Sequence, residues 1–209
     1  MSDPASAFGS DVGTKLVAIH RALDSAGIEH AFGGAIALAY AVPEPRATID
    51  IDINISVPVD LAQSVVDALP DGVVARPGVV DRIAHDGQDR LRWGDVPVDL
   101  FFPQHEFHAV VARRVRCEPF RDTVIPVITP TDLTVFKALF NRRKDWPDIE
   151  SMLRAGAVDE AEATRWTRTI VGADHPSHLK LVELMSEVRA TPSEDSDGDA
   201  NVWRGGKND

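Results

Sequence analysis

Two aspartates separated by one residue are the part of this chain whose chemistry is easiest to state. In Thr48-Ile49-Asp50-Ile51-Asp52-Ile53-Asn54-Ile55, polar and apolar residues alternate with the period of a β-strand. The alternation predicts that the four isoleucines face a core and that Asp50 and Asp52 share the opposite face, with α-carbons about 6.6–6.8 Å apart. Because like charges at this spacing repel, that face is either fully solvated or holds a cation. Oxygen ligands of this kind suit Mg²⁺ or Mn²⁺.

A Gly-Gly pair precedes the Asp-x-Asp strand. Gly33-Gly34 lies between a predicted strand and a predicted helix. At such a junction, backbone N–H groups and the positive end of the helix dipole can hold phosphate oxygens, and the missing β-carbons permit close approach. The pair also fits an ordinary tight turn. The sequence leaves both interpretations open.

A third carboxylate lies on a later predicted strand. Asp99 stands between Val98 and Leu100, so the strand periodicity directs its side chain away from the apolar face. If the two strands are neighbours, Asp99 joins Asp50 and Asp52 in one site. A surface position for Asp99 is the alternative.

A lysine falls within the apolar stripe of a predicted helix. Thr129-Pro130 is typical of a helix start, and Leu133, Phe136 and Phe140 form the buried stripe of the helix that follows. Lys137 lies four residues after Leu133 and three before Phe140, within or beside that stripe. Its amine either reaches water along a packed stem or meets a charged partner.

Composition limits the classes of protein to consider. The chain has 209 residues, a net charge of -11 and one cysteine, Cys117, which excludes an internal disulfide. No stretch approaches the roughly 18 unbroken apolar residues of a membrane span, and the N-terminus lacks a secretory pattern, so we expect a cytoplasmic protein. The acidic balance argues against broad electrostatic binding to nucleic acid. Basic residues nevertheless form two groups: Arg113, Arg114, Arg116 and Arg121, and Lys137, Arg142, Arg143 and Lys144.

Periodicity and breakers predict an α+β core followed by helices. The predicted helices of the core cover residues 12–26, 35–41, 59–69 and 106–113. The predicted strands cover residues 29–32, 47–57, 73–75, 81–84, 90–92, 96–102 and 124–128, with a hairpin turn at 93–96. Four further helices are predicted at 130–143, 146–155, 159–171 and 178–189. We therefore expect an α/β core over residues 1–128, a helical subdomain over 129–190 and a disordered acidic tail over 191–209.

The order Gly-Gly, Asp-x-Asp and a later lone Asp resembles the polymerase-β-like nucleotidyltransferase superfamily. Phe32-Gly33-Gly34-Ala35-Ile36-Ala37-Leu38 and Arg46-Ala47-Thr48-Ile49-Asp50-Ile51-Asp52 are similar to the small bacterial AbiEii and MenT-type toxins. The resemblance covers about residues 32–153. It implies that superfamily's mixed sheet flanked by helices, with a C-terminal helical subdomain, and a Mg²⁺- or Mn²⁺-dependent transfer from a nucleoside triphosphate.

The resemblance also implies roles for individual residues. Asp50 and Asp52 would bind the catalytic metals, Asp99 would complete the metal site and activate the acceptor hydroxyl, and Lys137 would contact the triphosphate or the transition state. Asp145 and Asp148 match acidic positions that follow the family's lysine, although they could equally cap the next helix and pair with arginines. The remaining nucleotide-binding positions would be Gly33, Gly34, Arg46 and Thr48. In MenT-type systems a partner antitoxin can phosphorylate the residue at the position of Thr48.

The sequence leaves three candidate functions for the chain. By resemblance, the first is a toxin of a toxin–antitoxin system that transfers nucleoside monophosphate, with CTP as one candidate donor, to the 3′ end of tRNA and so blocks translation. The second is nucleotidylation of a small hydroxylated molecule such as an aminoglycoside, for which an acidic surface would suit a cationic acceptor. The third is a non-catalytic nucleotide-binding partner. Zinc binding by the His-x-x-His pairs at 105/108 and 175/178 is disfavoured, because no cysteines or clear third ligand accompany them.

Overall fold

A computed structural model describes residues 8–191, and within them it confirms an α+β fold with a mixed sheet flanked by helices. The helices are α1 Ser10–Ser25, α2 Gly34–Ala39, α3 Ala62–Ala68, α4 Val79–Asp86, α5 Glu106–Arg114, α6 Pro130–Phe140, α7 Asp145–Arg154, α8 Glu160–Val171 and α9 Pro176–Ala190. A 3₁₀ turn, Val59–Leu61, leads into α3. The strands are β1 His30–Phe32, β2 Ile51–Ile55, β3 Gln88–Trp93, β4 Val96–Phe101, β5 Arg116–Phe120 and β6 Thr123–Val127.

The six strands form one sheet in the order β3-β4-β2-β1-β6-β5. The central strand β2 pairs in parallel with β4 and antiparallel with β1, while β3 and β4 form an antiparallel hairpin. On the other side, β1 pairs in parallel with β6, which forms an antiparallel hairpin with β5. The strand that follows the Gly-Gly turn in sequence is therefore a direct neighbour of the strand that carries Asp99.

The Asp-x-Asp strand is shorter than its alternation predicts. Ile51, Ile53 and Ile55 are buried as expected, but Ile49 is 65% exposed, so its predicted core position is wrong. The reason is local: the backbone N–H of Asp50 donates to Thr48 Oγ1 at 3.1 Å instead of to a neighbouring strand. Asp50 consequently lies just before β2 and Asp52 within it.

Two other predicted strands differ from the structure, and one strand of the structure was not predicted. Residues 81–84 belong to α4, not to a strand. Gly78 and Gly87, whose backbones are in the left-handed conformation, flank the two ends of that helix. Val74 makes only an isolated bridge with Arg92. The edge strand β5 escaped prediction because most of its residues are exposed and show no apolar alternation. The remaining predicted elements are present, with ends shifted by a few residues.

The helices after residue 129 pack around α6, which contacts α7, α8 and α9 and also lies against α2 of the sheet domain. Buried residues of both parts belong to one hydrophobic cluster. The division at residue 128 stays a prediction, and the predicted acidic tail lies outside the described residues except for Thr191. No helix among residues 8–191 is long and apolar enough to cross a membrane.

Candidate active site

Asp52 and Asp99 lie directly opposite each other on adjacent strands. The parallel register of β2 and β4 pairs Asp52 with Asp99, as it pairs Ile51 with Val98. The apolar neighbours of both aspartates point into the core, so the two carboxylates share the polar face of the sheet. The Asp99 side chain retains only 13% exposure. The structure thus places two of the three predicted carboxylates in one row across the sheet.

The Gly-Gly turn lies against Asp52. The Gly33 N–H donates to the Asp52 carbonyl oxygen at 2.9 Å, which fixes the turn to β2. Gly34 has φ +52°, and a β-carbon added there would stand 1.8 Å from Asp52 Oδ2. The glycines therefore let the backbone approach the carboxylate closely. Their predicted contact with phosphate stays a prediction.

The carboxylates repel one another. Burial and then the negative charges of Asp99 and Asp50 raise the pKa of Asp52 to about 6, against smaller opposing effects of Lys137 and Arg142. A positive charge at this face would relieve the repulsion. At this position Asp52 is therefore protonated more readily than an exposed aspartate.

An arginine that the sequence analysis did not single out lies at this face. Arg90 on β3 pairs in register with Asp99. Its Nε donates to Asp99 Oδ1 at 2.7 Å and its Nη2 to Asp99 Oδ2 at 2.6 Å, and the same Nη2 lies 3.9 Å from Asp50 Oδ2. The two-residue hairpin turn makes this pairing predictable, since Trp93 opposite Val96 leads, three steps outward, to Arg90 opposite Asp99. Arg90 could therefore have been found from the register of the predicted hairpin, although no sequence motif contains it.

Lys137 has a charged partner and does not reach water. Its side chain is buried, and Nζ donates to Asp148 Oδ2 at 2.6 Å and to Asp145 Oδ1 at 3.4 Å. Burial opposes ionisation of Asp148, but hydrogen bonds from Arg46 and Lys137 outweigh it and lower the pKa of this carboxyl. Asp148 is therefore ionised, and it is the buried ion-pair partner of Lys137.

Arg46 and Arg142 complete this charged group. Arg46 Nε and Nη2 donate to the Asp148 carboxylate at 3.1 Å each, a bidentate contact that places the partly exposed Arg46 beside Lys137. Asp145 starts α7 and accepts from the Arg142 backbone N–H at 3.1 Å and from its Nε at 2.9 Å. The predicted pairing of Asp145 and Asp148 with arginines is therefore present, and both also bind Lys137, but no described side chain caps the start of α7.

A cavity of about 280 Å³ has both Asp52 and Lys137 in its wall. Polar groups line one part of it, namely Gly34, Asp52, Asn54, Lys137 and Arg142. Aromatic rings line another part, namely Phe101, Phe102, Phe136, Phe140 and His108. The cavity therefore presents both a charged wall and an apolar wall to a ligand of small-molecule size.

Asp50, Asp52 and Asp99 offer the oxygen ligands that divalent cations prefer, and their three negative carboxylates share a partly buried face. Among the described residues, however, no three His, Cys, Asp or Glu side chains are grouped closely enough to surround one ion. Both oxygens of Asp99 accept hydrogen bonds from Arg90 instead. Asp50, Asp52 and Asp99 remain the predicted metal ligands.

Thr48 and the histidine pairs have structural partners. Thr48 Oγ1 accepts from the Asp50 N–H, so its hydroxyl lies beside the first aspartate of the predicted site. His105 and His175 cap the starts of α5 and α9 through their ring nitrogens. His178 Nδ1 lies 3.1 Å from Thr167 Oγ1 in the helical subdomain. These contacts give a structural reason for histidines that the sequence did not favour as zinc ligands.

Comparisons with known proteins support the fold. No protein-family model and no curated protein sequence matches the chain. Among solved structures, an antigenic nucleotidyltransferase-like protein from Paracoccidioides brasiliensis matches with a TM-score of 0.51 and 18% identity over 86% of this chain and 94% of that one. The antibiotic-resistance factor ANT(2'')-Ia matches at 0.45, with 16% identity over 85% and 91% of the two chains. JHP933 from Helicobacter pylori matches at 0.39, with 13% identity over 91% and 92%. The chain has the fold of nucleotidyltransferase-like proteins.

Proposed function

We propose that the chain is a divalent-metal-dependent nucleotidyltransferase of the AbiEii and MenT type, which transfers nucleoside monophosphate from a nucleoside triphosphate to the 3′ end of tRNA. The observation that carries the proposal is the register of Asp52 opposite Asp99, at the wall of a cavity that also contains Lys137. An ordinary solvated strand face would explain Asp52 alone. It does not explain why Gly34 leaves room for that carboxylate or why a buried lysine lines the same cavity.

In the proposed reaction, the acceptor hydroxyl oxygen forms a bond to the α-phosphorus. The bond from that phosphorus to the bridging oxygen of pyrophosphate breaks, and its electron pair leaves with pyrophosphate. The Asp99 carboxylate accepts the hydroxyl proton. A divalent cation held by Asp50, Asp52 and Asp99 would supply Lewis-acid stabilisation of the charge on the phosphate oxygens. The protein itself contributes positioning and fixed charge.

Lys137 is the main positive group for the triphosphate in this proposal. Asp148 and Asp145 keep its stem and amine fixed, so no side-chain freedom is lost when the phosphates bind. Arg142 lines the cavity as well, and Arg46 shares Asp148 with the lysine. The aromatic wall would then receive the nucleoside. CTP is one candidate among the nucleoside triphosphates.

A basic corner at the cavity supports an acceptor with phosphates. Arg142, Arg143 and Lys144 are consecutive and exposed in the turn between α6 and α7, and Arg142 reaches the cavity. Local positive charge of this kind can bind a nucleic-acid backbone although the whole chain carries a net charge of -11. This corner favours tRNA. The toxin role includes a cognate antitoxin and phosphorylation of Thr48, which would add negative charge beside Asp50.

The second candidate acceptor is a small cationic hydroxylated molecule such as an aminoglycoside. The observation in its favour is the acidic balance of the chain, which attracts cations. A non-catalytic nucleotide-binding protein is the third reading. It would need the cavity and Lys137 but not the row of carboxylates.

One experiment separates these functions. The protein is incubated with Mg²⁺, each labelled nucleoside triphosphate, and either total tRNA or aminoglycosides. We expect label on tRNA, and we expect Asp52→Ala to reduce it about a thousandfold or more, because metal stabilisation of transition-state charge is worth several kcal/mol. Asp95→Ala, which removes an exposed carboxylate of the β3–β4 turn, is the matched control and should leave the rate unchanged.

Each other outcome contradicts part of the proposal. Label that appears only on the small acceptor assigns the second function. Nucleotide binding without transfer to either acceptor assigns the third. Transfer to tRNA that persists in Asp52→Ala contradicts the proposed site itself. For the regulatory part, mass spectrometry after co-expression with the neighbouring gene product that finds unmodified Thr48 and an active enzyme counts against phosphorylation.

A further inference from the structure

One row of side chains crosses three strands at the candidate site. Arg90 on β3 faces Asp99 on β4, and Asp99 faces Asp52 on β2. The guanidinium meets both oxygens of Asp99 at 2.7 and 2.6 Å and lies 3.9 Å from Asp50. A protein cation thus occupies the face on which three carboxylates repel one another.

We propose that Arg90 is a positioning residue that neutralises Asp99 until a divalent cation displaces it, so that Arg90 and the cation compete for the same carboxylate. The inference rests on the proposed function, because it takes Asp99 as a ligand of the catalytic metal. It goes further by assigning a role to a residue outside the aspartates and the lysine.

The geometry makes the competition direct. Both Asp99 oxygens accept hydrogen bonds from Arg90, and a carboxylate held in this bidentate way offers its most accessible lone pairs to the guanidinium. While these bonds persist, Asp99 is a poor proton acceptor for a substrate hydroxyl. Release of Arg90 therefore precedes transfer.

Arg90 is free to leave. Its side chain is 52% exposed, whereas that of Asp99 is 13% exposed, so the arginine can rotate into solvent while the carboxylate stays at the site. An ion pair that is open to water on one side contributes little to folding. Displacement by a divalent cation then costs little stability.

The test is Mn²⁺ binding to the full chain without nucleotide, measured by calorimetry and by the electron paramagnetic resonance signal of free Mn²⁺. We expect Arg90→Gln to tighten Mn²⁺ binding roughly tenfold, the equivalent of one charge-assisted contact. Arg92→Gln is the matched control. Arg92 is exposed on the same face of β3, and its substitution removes the same charge. It should tighten binding less than twofold. Arg90→Lys, which keeps the charge but loses the fork, should fall between them.

The possible results are distinguishable. Equal Mn²⁺ affinity in Arg90→Gln and the wild type, with binding that Asp52→Asn abolishes in both, overturns the role of Arg90 and leaves the proposed function standing. An equal gain in Arg92→Gln also overturns it, because the effect would then be long-range charge. Mn²⁺ binding that Asp52→Asn does not change in any variant overturns both the inference and the metal site.

Discussion

Gly34 leaves the space that the Asp52 carboxylate occupies: a β-carbon at position 34 would lie 1.8 Å from Asp52 Oδ2 and 3.1 Å from Asp52 Cβ. The atoms of Asp52 belong to a strand fixed on both sides, so they cannot retreat far. We predict that Gly34→Ala displaces the carboxylate and lowers nucleotidyl transfer at least about a hundredfold, since a misplacement of about 1 Å can have that effect. Single-turnover rates with labelled nucleoside triphosphate measure it.

Gly27→Ala is the control for this prediction. Gly27 also has a positive φ, +68°, but no atom lies within 4 Å of the β-carbon that alanine would add. Both variants should lose about 1 kcal/mol of unfolding free energy from the left-handed backbone. Only Gly34→Ala should lose transfer. Equal losses of activity in the two variants would assign the effect to backbone strain and contradict the role of the contact with Asp52.

The buried pair of Lys137 and Asp148 gives a second prediction. Lys137 is 3% exposed, and Asp148 is its nearest carboxylate. Asp148→Asn leaves a buried ammonium with only the more distant Asp145, and we expect about 3 kcal/mol lower unfolding free energy. Lys137→Met should abolish transfer even at a temperature at which the variant remains folded. Urea unfolding and transfer rates are the measurements.

A double-mutant cycle isolates the interaction. Lys137→Met combined with Asp148→Asn should cost at least about 1 kcal/mol less than the sum of the single variants, because the buried partners disappear together. The control cycle uses Arg21 and Asp122, whose ion pair is exposed on both sides. Its coupling should be below about 0.5 kcal/mol. Additive effects in both cycles would mean that Lys137 gains nothing from Asp148.

Local periodicity explains how much of the fold was predictable. The helix over 12–26 and the strand over 96–102 each bury residues at the spacing that their patterns indicate, and both are present. The prediction of a strand over 81–84 was wrong because four residues are too few to distinguish a strand from one turn of an amphipathic helix. These residues belong to α4, which buries Ile83. The predicted core position of Ile49 was wrong because β2 begins only at Ile51, after a local hydrogen bond between Asp50 and Thr48 that the alternation does not reveal.

The candidate site was predictable where a motif or a strand register names the residue. Asp52 and Asp99 followed from alternation on two strands, but their direct pairing needed the parallel register of β2 and β4. The partners of Lys137 needed the placement of α7 against α6, which no local pattern contains. The hairpin turn indicated the position of Arg90, but the side-chain contact became evident only with both strands in place.

Glu162 links the helical part of the fold to acid stability. The hydrogen bond from Arg165, the largest effect, acts together with those from Arg114 and Trp166; they outweigh the opposing effect of burial and lower the pKa of Glu162 from 4.5 to about 2. Since the folded pKa is below the unfolded value, the ionised carboxylate stabilises the fold above about pH 4.5, and this contribution is lost as the pH falls toward 2. We predict that Glu162→Gln lowers the unfolding free energy by about 1 kcal/mol at pH 7, as expected of an ion pair partly open to water. The deficit should shrink below pH 4.5.

Thermal and urea unfolding between pH 7 and pH 2.5 test this dependence. Glu150→Gln is the matched control, because Glu150 pairs with Arg154 on the exposed face of α7. Its effect should stay within about 0.5 kcal/mol across the range. A deficit of Glu162→Gln that is the same at pH 2.5 as at pH 7 would show that packing, and not the charge of Glu162, is responsible.

The basic corner of Arg142, Arg143 and Lys144 distinguishes the two acceptor classes. Arg142 is tied to Asp145 and lines the cavity, whereas Arg143 and Lys144 are exposed beside it. If the acceptor is tRNA, the double variant Arg143→Ala/Lys144→Ala should raise its KM about tenfold and reduce the salt slope of binding by about 1.5. The control Arg113→Ala/Arg168→Ala removes the same charge at exposed sites on α5 and α8 and should change neither.

For a cationic small acceptor the KM should change in the opposite direction, because removal of two positive charges near the cavity would lower it. Steady-state transfer at several salt concentrations gives the answer, and equal effects of the two double variants would leave the corner without a role in acceptor binding.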